Sequence, residues 1–400
     1  AIVLANTVDE TLEKSQRKLQ QLKQPKHRAL FHEIDWSERF IMLLGHRGSG
    51  KTTMMLQRMA ADSESSIYLS LDDFLFETHR LVEVFDKLYH LGYRYFYIDE
   101  IHRYTNWSKD LKQIYDDYNT ANLITTGSSI LDITKGNADL SRRAVVYHLQ
   151  GLSFREYLFL AKGVTIEPIK LDDLLEHHQE LSSKFLDLFS WETDFKNYLN
   201  YGYYPFFLEG KQSYLGKLER TAHLVIESDI IPFEGLNYKT LHSLKKLLFV
   251  ISQSAPFIPN MSKLSEHTEL PRNTLLKLLD KLDQAKLIKL LKSGTKGVSY
   301  LQKPEKIYLE NTNLIHLFSN HKPNIGSLRE TFFYNQLAYQ YSVSSSKFGD
   351  FMVDERYTFE VGGPSKGMKQ IQGVPLAYLA LDIKSGTGSS IPLWMFGFLY

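Results

Sequence analysis

From Arg39 onward, short apolar runs alternate with stretches of helical periodicity: RFIMLLG, SSIYLSLDD, YRYFYIDE, ANLITTGSS and AVVYHL. Runs of this length, spaced by helix-length segments, predict five strands of a parallel sheet with helices on both faces. This block closes near Phe154. Ahead of it, Thr7 and Glu10 stand at capping-box spacing and predict a helix over about residues 8–22, which KQPKHR breaks.

Beyond Phe154 the pattern changes. Residues 155–235 carry leucine-rich helical periodicity and an aromatic knot, NYLNYGYYPFFLEG. The segments TLHSLKKLLFVISQS, NMSKLSEHT and PRNTLLKLLDKLDQA then predict three helices, with Pro271 as the first residue of the last. Two strands follow, LIKLLKS and PEKIYLE, around a GTKG tip, the element order of a winged helix-turn-helix. Residues 320–400 return to mixed α/β from a helix at SLRETFFYNQLAYQY. No internal repeat or low-complexity tract is present. The domains expected are 1–30, an N-terminal helix; 31–154, a P-loop core; 155–235, a helical lid; 236–315, a winged helix; and 316–400, a nuclease-like α/β domain.

Composition adds three constraints. A chain of 400 residues is too long for one ordinary core. The formal net charge of +1 gives no overall pull toward nucleic acid or membrane, so any such binding must come from a local patch. The absence of cysteine excludes disulfides, thiol catalysis and thiolate zinc sites. The apolar start is too short for a signal peptide, and no run of about 18 apolar residues occurs, so a soluble cytoplasmic protein is expected.

The chemistry concentrates at GHRGSGKTT. Gly45, Gly50, Lys51 and Thr52 complete the G-x-x-x-x-G-K-[ST] pattern, after an apolar strand and at the start of a helix. The loop Gly45, His46, Arg47, Gly48, Ser49, Gly50 turns backbone N–H groups toward phosphates, with Thr53 beside it. Lys51 reaches the β/γ oxygens, and Thr52 offers a hydroxyl to Mg²⁺. The strand YFYIDE ends on Asp99, a second Mg²⁺ holder, and Glu100, which can orient and deprotonate water. ATP and Mg²⁺ are therefore the expected cofactors, and hydrolysis is favoured over transfer to a metabolite. Thr126 or Ser128 in TTGSS is a candidate sensor of the attacking water or γ-phosphate. Arg142 or Arg143 is a candidate for reaching the γ-phosphate of a neighbouring subunit, which would make the protein a homo-oligomer.

GHRGSGKTT, YIDEIHRYTNWSKDLKQIYD, LITTGSSI and LSFREYL resemble the AAA+ ATPases, in particular archaeal and bacterial members near the origin-recognition and STAND signalling branches. The resemblance implies strand order 5-1-4-3-2. It also implies a lid motif in YLNYGYYPFFLEG whose Gly202 and Pro205 lie close to the adenine. The segments from PFIPNMSK to IPLWMFGFLY resemble the uncharacterised C-terminal region that accompanies such ATPases.

Between Lys239 and Glu310 stand thirteen lysine and arginine residues against six carboxylates, a local basic surface suited to phosphate contact. Arg272, Asn273 and Lys277 open or line the expected recognition helix of a duplex-DNA-binding module. The competing reading is a spacer or protein-docking unit, as in a STAND-like signalling or defence switch with a protein partner. A third reading is an ATP-dependent nuclease. Glu330, Asp350 and Glu360 follow the order of the restriction-endonuclease-like fold, in which two carboxylates hold Mg²⁺ and a lysine two residues after the glutamate assists. Here that position is Gly362. Lys366 or Lys369 could reach in from the following segment, but the turn at Pro364 is expected to carry Lys366 away unless its side chain loops back, leaving a vestigial site, no nuclease activity of consequence and a structural or interaction role.

Overall fold

The computed structural model describes residues 2–62, 65–131, 138–230, 238–253, 257–294, 303–319 and 322–400. The chain divides into two compact units, Ala1–Gln150 and Gly151–Tyr400.

All five runs of the first unit form strands: β1 (Phe40–Gly45), β2 (Ser66–Ser70), β3 (Tyr95–Asp99), β4 (Asn122–Ser128) and β5 (Val145–Leu149). They pair in parallel in the order β2-β3-β4-β1-β5, the order the resemblance implies, with β4 between β1 and β3. Side chains alternate between the faces, as the pleat requires. Phe40, Met42, Leu44, Phe96 and Ile98 pack with Val84, Phe85, Leu88, Leu111 and Ile114 of helices Leu81–His90 and Trp107–Asp117. Ile41, Leu43, Tyr97 and Ile124 face the other way, onto Met54, Met55 and Met59 of helix Lys51–Ala61. Both faces are covered, which explains why these strands are near-continuously apolar.

The N-terminal helix is longer than the capping-box spacing predicts. It runs Ile2–Gln20, so position 7 lies inside it rather than at its start. It lies on edge strand β2, where Ser15 Oγ accepts the Tyr68 N–H at 2.9 Å and Lys14 pairs with Asp73 at 2.6 Å. An otherwise open sheet edge is thereby covered.

The second unit begins with helices Phe154–Lys162, Leu171–Leu186, Trp191–Tyr201 and Tyr214–Leu224. Three more follow, Tyr238–Ser252, Met261–Thr268 and Arg272–Gln284, and then an antiparallel pair, β6 (Ile288–Leu291) and β7 (Lys306–Leu309). Pro271 is the N-cap, so the third helix starts one residue later than expected. Residues 295–297 of the expected GTKG tip, and 231–235 of the expected lid, lie outside the described residues.

Helix Ile325–Leu337 then packs on a mixed five-stranded sheet: β8 (Val343–Ser345), β9 (Phe351–Val353), β10 (Tyr357–Gly362), β11 (Ala377–Leu381) and β12 (Ser390–Pro392). Its order is β12-β11-β10-β9-β8, antiparallel from β8 to β10 and parallel from β10 to β12. The turn Leu393–Phe398 is fully buried. Phe398 meets Phe154 and Phe185, Trp394 meets Phe189, and Ser153 Oγ donates to the Tyr400 carbonyl at 2.8 Å. No helix among the described residues is long and apolar enough to cross a membrane.

Candidate functional site

The parallel registers place Gly45 beside Ser128 and Ser70 beside Asp99, so the carboxyl ends of β1 to β4 converge on one edge of the sheet. This edge is where α/β sheets bind ligands. At the end of β1 a Cβ on Gly45 would stand 2.4 Å from the Leu149 carbonyl, so only glycine lets the chain leave between β1 and β5. Gly48 and Gly50 take φ of 84° and 96°, conformations that glycine adopts freely. Gly50 is the N-cap of helix Lys51–Ala61, whose first N–H groups lack helical partners and face the loop.

Lys51 is buried, with Nζ donating to the carbonyls of Gly45 and His46 at 2.8 and 2.9 Å. The ammonium is thus held inside the ring of the loop. Ser49 Oγ donates to the His46 carbonyl at 2.8 Å and stiffens the same turn. Thr53 follows Thr52 on the helix and is half-buried. From behind, the buried Arg28 donates to Ser49 O at 2.9 Å and to Gln150 O at 2.6 Å. The sequence offered no signal for Arg28 beyond a lone arginine before β1.

Asp99 is buried and surrounded by hydroxyls. Thr52 Oγ1 donates to it at 2.9 Å, Tyr68 OH at 2.8 Å, and Thr126 Oγ1 makes a third contact. Burial, followed by the Asp99 charge, holds the Tyr68 phenol well above its ordinary pKa, so it remains a donor. The arrangement of carboxylate and threonine oxygens beside a phosphate-shaped loop fits a hard, partly hydrated cation such as Mg²⁺.

Glu100 takes a left-handed backbone conformation, φ 55° and ψ 43°, unusual outside glycine. Its N–H donates to Thr126 Oγ1 at 3.1 Å. The single hydroxyl hydrogen of Thr126 goes to Asp99, so Thr126 ties the two acidic residues together. The Glu100 carboxylate lies 3.6 Å from Arg47 Nη2 and 3.4 Å from His102 Nε2. Ser128 ends β4 beside Gly45, and its Oγ accepts from the Ile130 N–H at 3.3 Å. Of the two candidate arginines, Arg143 makes a bidentate pair with Asp116 at 2.8 and 2.9 Å, while Arg142 is exposed.

In the second unit, Gly202 caps helix Trp191–Tyr201, where a Cβ would stand 2.5 Å from the Tyr198 ring and 2.8 Å from that of Tyr157. Close aromatic packing thus accounts for this glycine. Pro205 opens the turn Pro205–Glu209. Arg272, Asn273 and Lys277 are all exposed on helix Arg272–Gln284. The basic surface is smaller than the sequence count, because Lys289 is buried against Glu310 and Lys306 pairs with Asp350 at 3.6 Å.

Glu330, Asp350 and Glu360 do come near one another, but each is turned to its own partner. Tyr308 OH donates to Glu330 at 2.7 Å, Asp350 accepts the Val361 N–H at 2.9 Å, and Glu360 pairs with Lys366. Among the described residues, no group of three or more histidine or acidic side chains is arranged to hold a metal ion. The expectation that the turn carries Lys366 away is corrected. A Cβ on Gly362 would stand 2.7 Å from Lys366 Cβ, so the side chain folds back over the bare glycine onto Glu360.

Burial, then the Asp350 charge, pushes the Glu330 carboxyl up to about 7. Between its ordinary value of 4.5 and about 7, the folded protein keeps a proton that the unfolded chain has lost. Stability is therefore expected to fall as pH rises through this window, by roughly 3 kcal/mol at most. Glu330→Gln should flatten that slope between pH 5 and 8 in denaturant melts. An unchanged slope would show that Glu330 ionises freely.

Comparison with known proteins adds the following. Residues 37–158, which include the sheet of the first unit and its glycine-rich loop, match the model of an AAA domain. An uncharacterized protein of Methanocaldococcus jannaschii is 28% identical over 269 residues, covering 62% of this chain and 55% of that protein. The chain thus spans about half the length of this curated relative. Among solved structures, a Walker-type ATPase of Pyrococcus abyssi covers 77% of this chain and 95% of its own, at 14% identity and a TM-score of 0.41. The RuvB Holliday junction branch migration motor of Thermotoga maritima covers 74% and 90%, at 14% identity and a TM-score of 0.33.

Proposed function

We propose that this protein hydrolyses ATP at the β1–β4 edge and uses its nucleotide state to govern a winged-helix module that contacts duplex DNA. The observation that carries the reading is the pairing of Thr52 with Asp99 directly beside Glu100, all facing the Lys51 loop. Loop N–H groups and Lys51 hold the β- and γ-phosphates of ATP. Thr52 and Asp99 would hold Mg²⁺, which neutralises charge on the phosphate oxygens when bound. Glu100 orients a water and takes its proton as the water oxygen attacks the γ-phosphorus and the β–γ bridging oxygen departs with ADP. Arg142, free of the Asp116 pairing that holds Arg143, is the better candidate to act on a neighbouring copy.

The helix order, the antiparallel β6–β7 pair and the exposed Arg272, Asn273 and Lys277 support DNA contact by the second unit. Phosphate release by the whole chain, measured with and without duplex DNA over a salt series, tests the reading. Stimulation by DNA that fades as salt rises is expected, and Arg272→Ala with Lys277→Ala should weaken it. An ATPase indifferent to DNA at all salt concentrations would instead favour a STAND-like switch that docks a protein.

A further inference from the structure

The ATPase reading leaves unexplained how Glu100 is held. Its backbone is fixed by the left-handed turn and by Thr126, but a glutamate side chain has three further rotatable bonds. A base that must meet a water at one place needs its carboxylate fixed as well, since small misplacements are costly. The next residue but one supplies a contact that the P-loop pattern did not call for. His102 lies on the turn Ile101–Arg103 with its side chain 9% exposed, and its Nε2 stands 3.4 Å from Glu100 Oε2.

The other face of the ring determines what this contact is. His102 Nδ1 lies 3.2 Å from the backbone nitrogen of Ser128. A backbone N–H can only donate, so Nδ1 must carry the lone pair, and the proton of the neutral ring then sits on Nε2. Nε2 lies within ion-pair range of the carboxylate, at 3.4 Å, outside hydrogen-bond geometry. The ring therefore spans from the end of β4, one residue from the Ser129–Gly45 backbone bond of 3.1 Å, to the side chain that follows β3. Arg47 of the phosphate loop approaches the same carboxylate oxygen at 3.6 Å.

We infer that His102 is a positioning residue for Glu100, holding the carboxylate electrostatically through the Nε2 side of its ring while Ser128 N–H fixes the ring's tautomer and angle. This rests on the reading of Glu100 as the base of ATP hydrolysis. It gives the end of β4 a part in catalysis through the Ser128 backbone.

The test uses the whole chain, with ATP turnover and the binding of a fluorescent ATP analogue as separate readouts. His102→Ala is expected to lower kcat by about 10- to 100-fold, while nucleotide affinity stays within about twofold. His102→Gln, whose amide both accepts and donates, should recover most of the rate. In a Glu100→Gln background, His102→Ala should cost nothing further, because the group it positions is already gone. If the alanine variant loses nucleotide binding, His102→Phe keeps the ring volume without either nitrogen and is read the same way. A wild-type kcat in His102→Ala or His102→Phe, or an equal loss in the Glu100→Gln background, overturns the inference and leaves the ATPase reading standing. A wild-type protein that binds ATP but never hydrolyses it overturns both.

Discussion

Glu100→Gln is expected to bind ATP as well as the wild type and to hydrolyse it at least about 100-fold more slowly. The amide matches the carboxylate in shape, so the left-handed turn and the 3.1 Å bond from the backbone to Thr126 should survive. The phosphate loop is untouched, since its contacts run through Lys51, Ser49 and the backbone. What is lost is the ability to accept a proton from water at the moment of attack. Single-turnover hydrolysis, measured beside equilibrium nucleotide binding, separates the two. Hydrolysis at the wild-type rate would remove Glu100 from the mechanism and leave Asp99 as the acidic group to examine.

Lys51→Ala should show the reverse pattern, with the loss appearing in binding. Charge-assisted hydrogen bonds contribute roughly 1.5–3 kcal/mol each, so nucleotide affinity should drop by about 10- to 100-fold or more. The ammonium rests on two carbonyls of the loop, at 2.8 and 2.9 Å, and so is already gathered where phosphate oxygens would come to lie. Removing it also frees those carbonyls, and thermal melting should show whether the loop loosens. Affinity equal to that of the wild type would mean that the backbone N–H groups suffice and that the lysine serves catalysis instead.

The candidate phosphate site was legible because its residues follow one another along the chain. β1 ends on the loop that begins the next helix, and β3 ends on its two acidic residues, so spacing along the sequence matches spacing in the fold. The groups that adjust this site were hidden because they come from elsewhere. Tyr68 reaches Asp99 from β2, Arg28 reaches the loop from before β1, and His102 acts only through a left-handed turn and the end of β4. Arg142 and Arg143 looked alike in sequence, and a carboxylate 27 residues earlier distinguishes them. In the second unit, β8 and β9 have three residues each, too short for a period of two to stand out. Of the two courses open to Lys366, the less expected one holds for a steric reason. Gly362 was read as a missing lysine, although its bare Cα is the space into which a later lysine folds.

The buried turn Leu393–Phe398 bears on the order in which the chain can fold during its synthesis. Several of the rings it meets, Phe154, Phe185 and Phe189, lie in the opening stretch of the second unit, and the bond from Ser153 to Tyr400 closes a span of 247 residues. The strands of the first unit's sheet all lie before Gln150, so they leave the ribosome ahead of the second unit. The second unit cannot complete the burial of Phe154, Phe185 and Phe189 until residues 393–398 have emerged. Its early helices must therefore wait with apolar faces uncovered, the condition in which chaperones find their substrates.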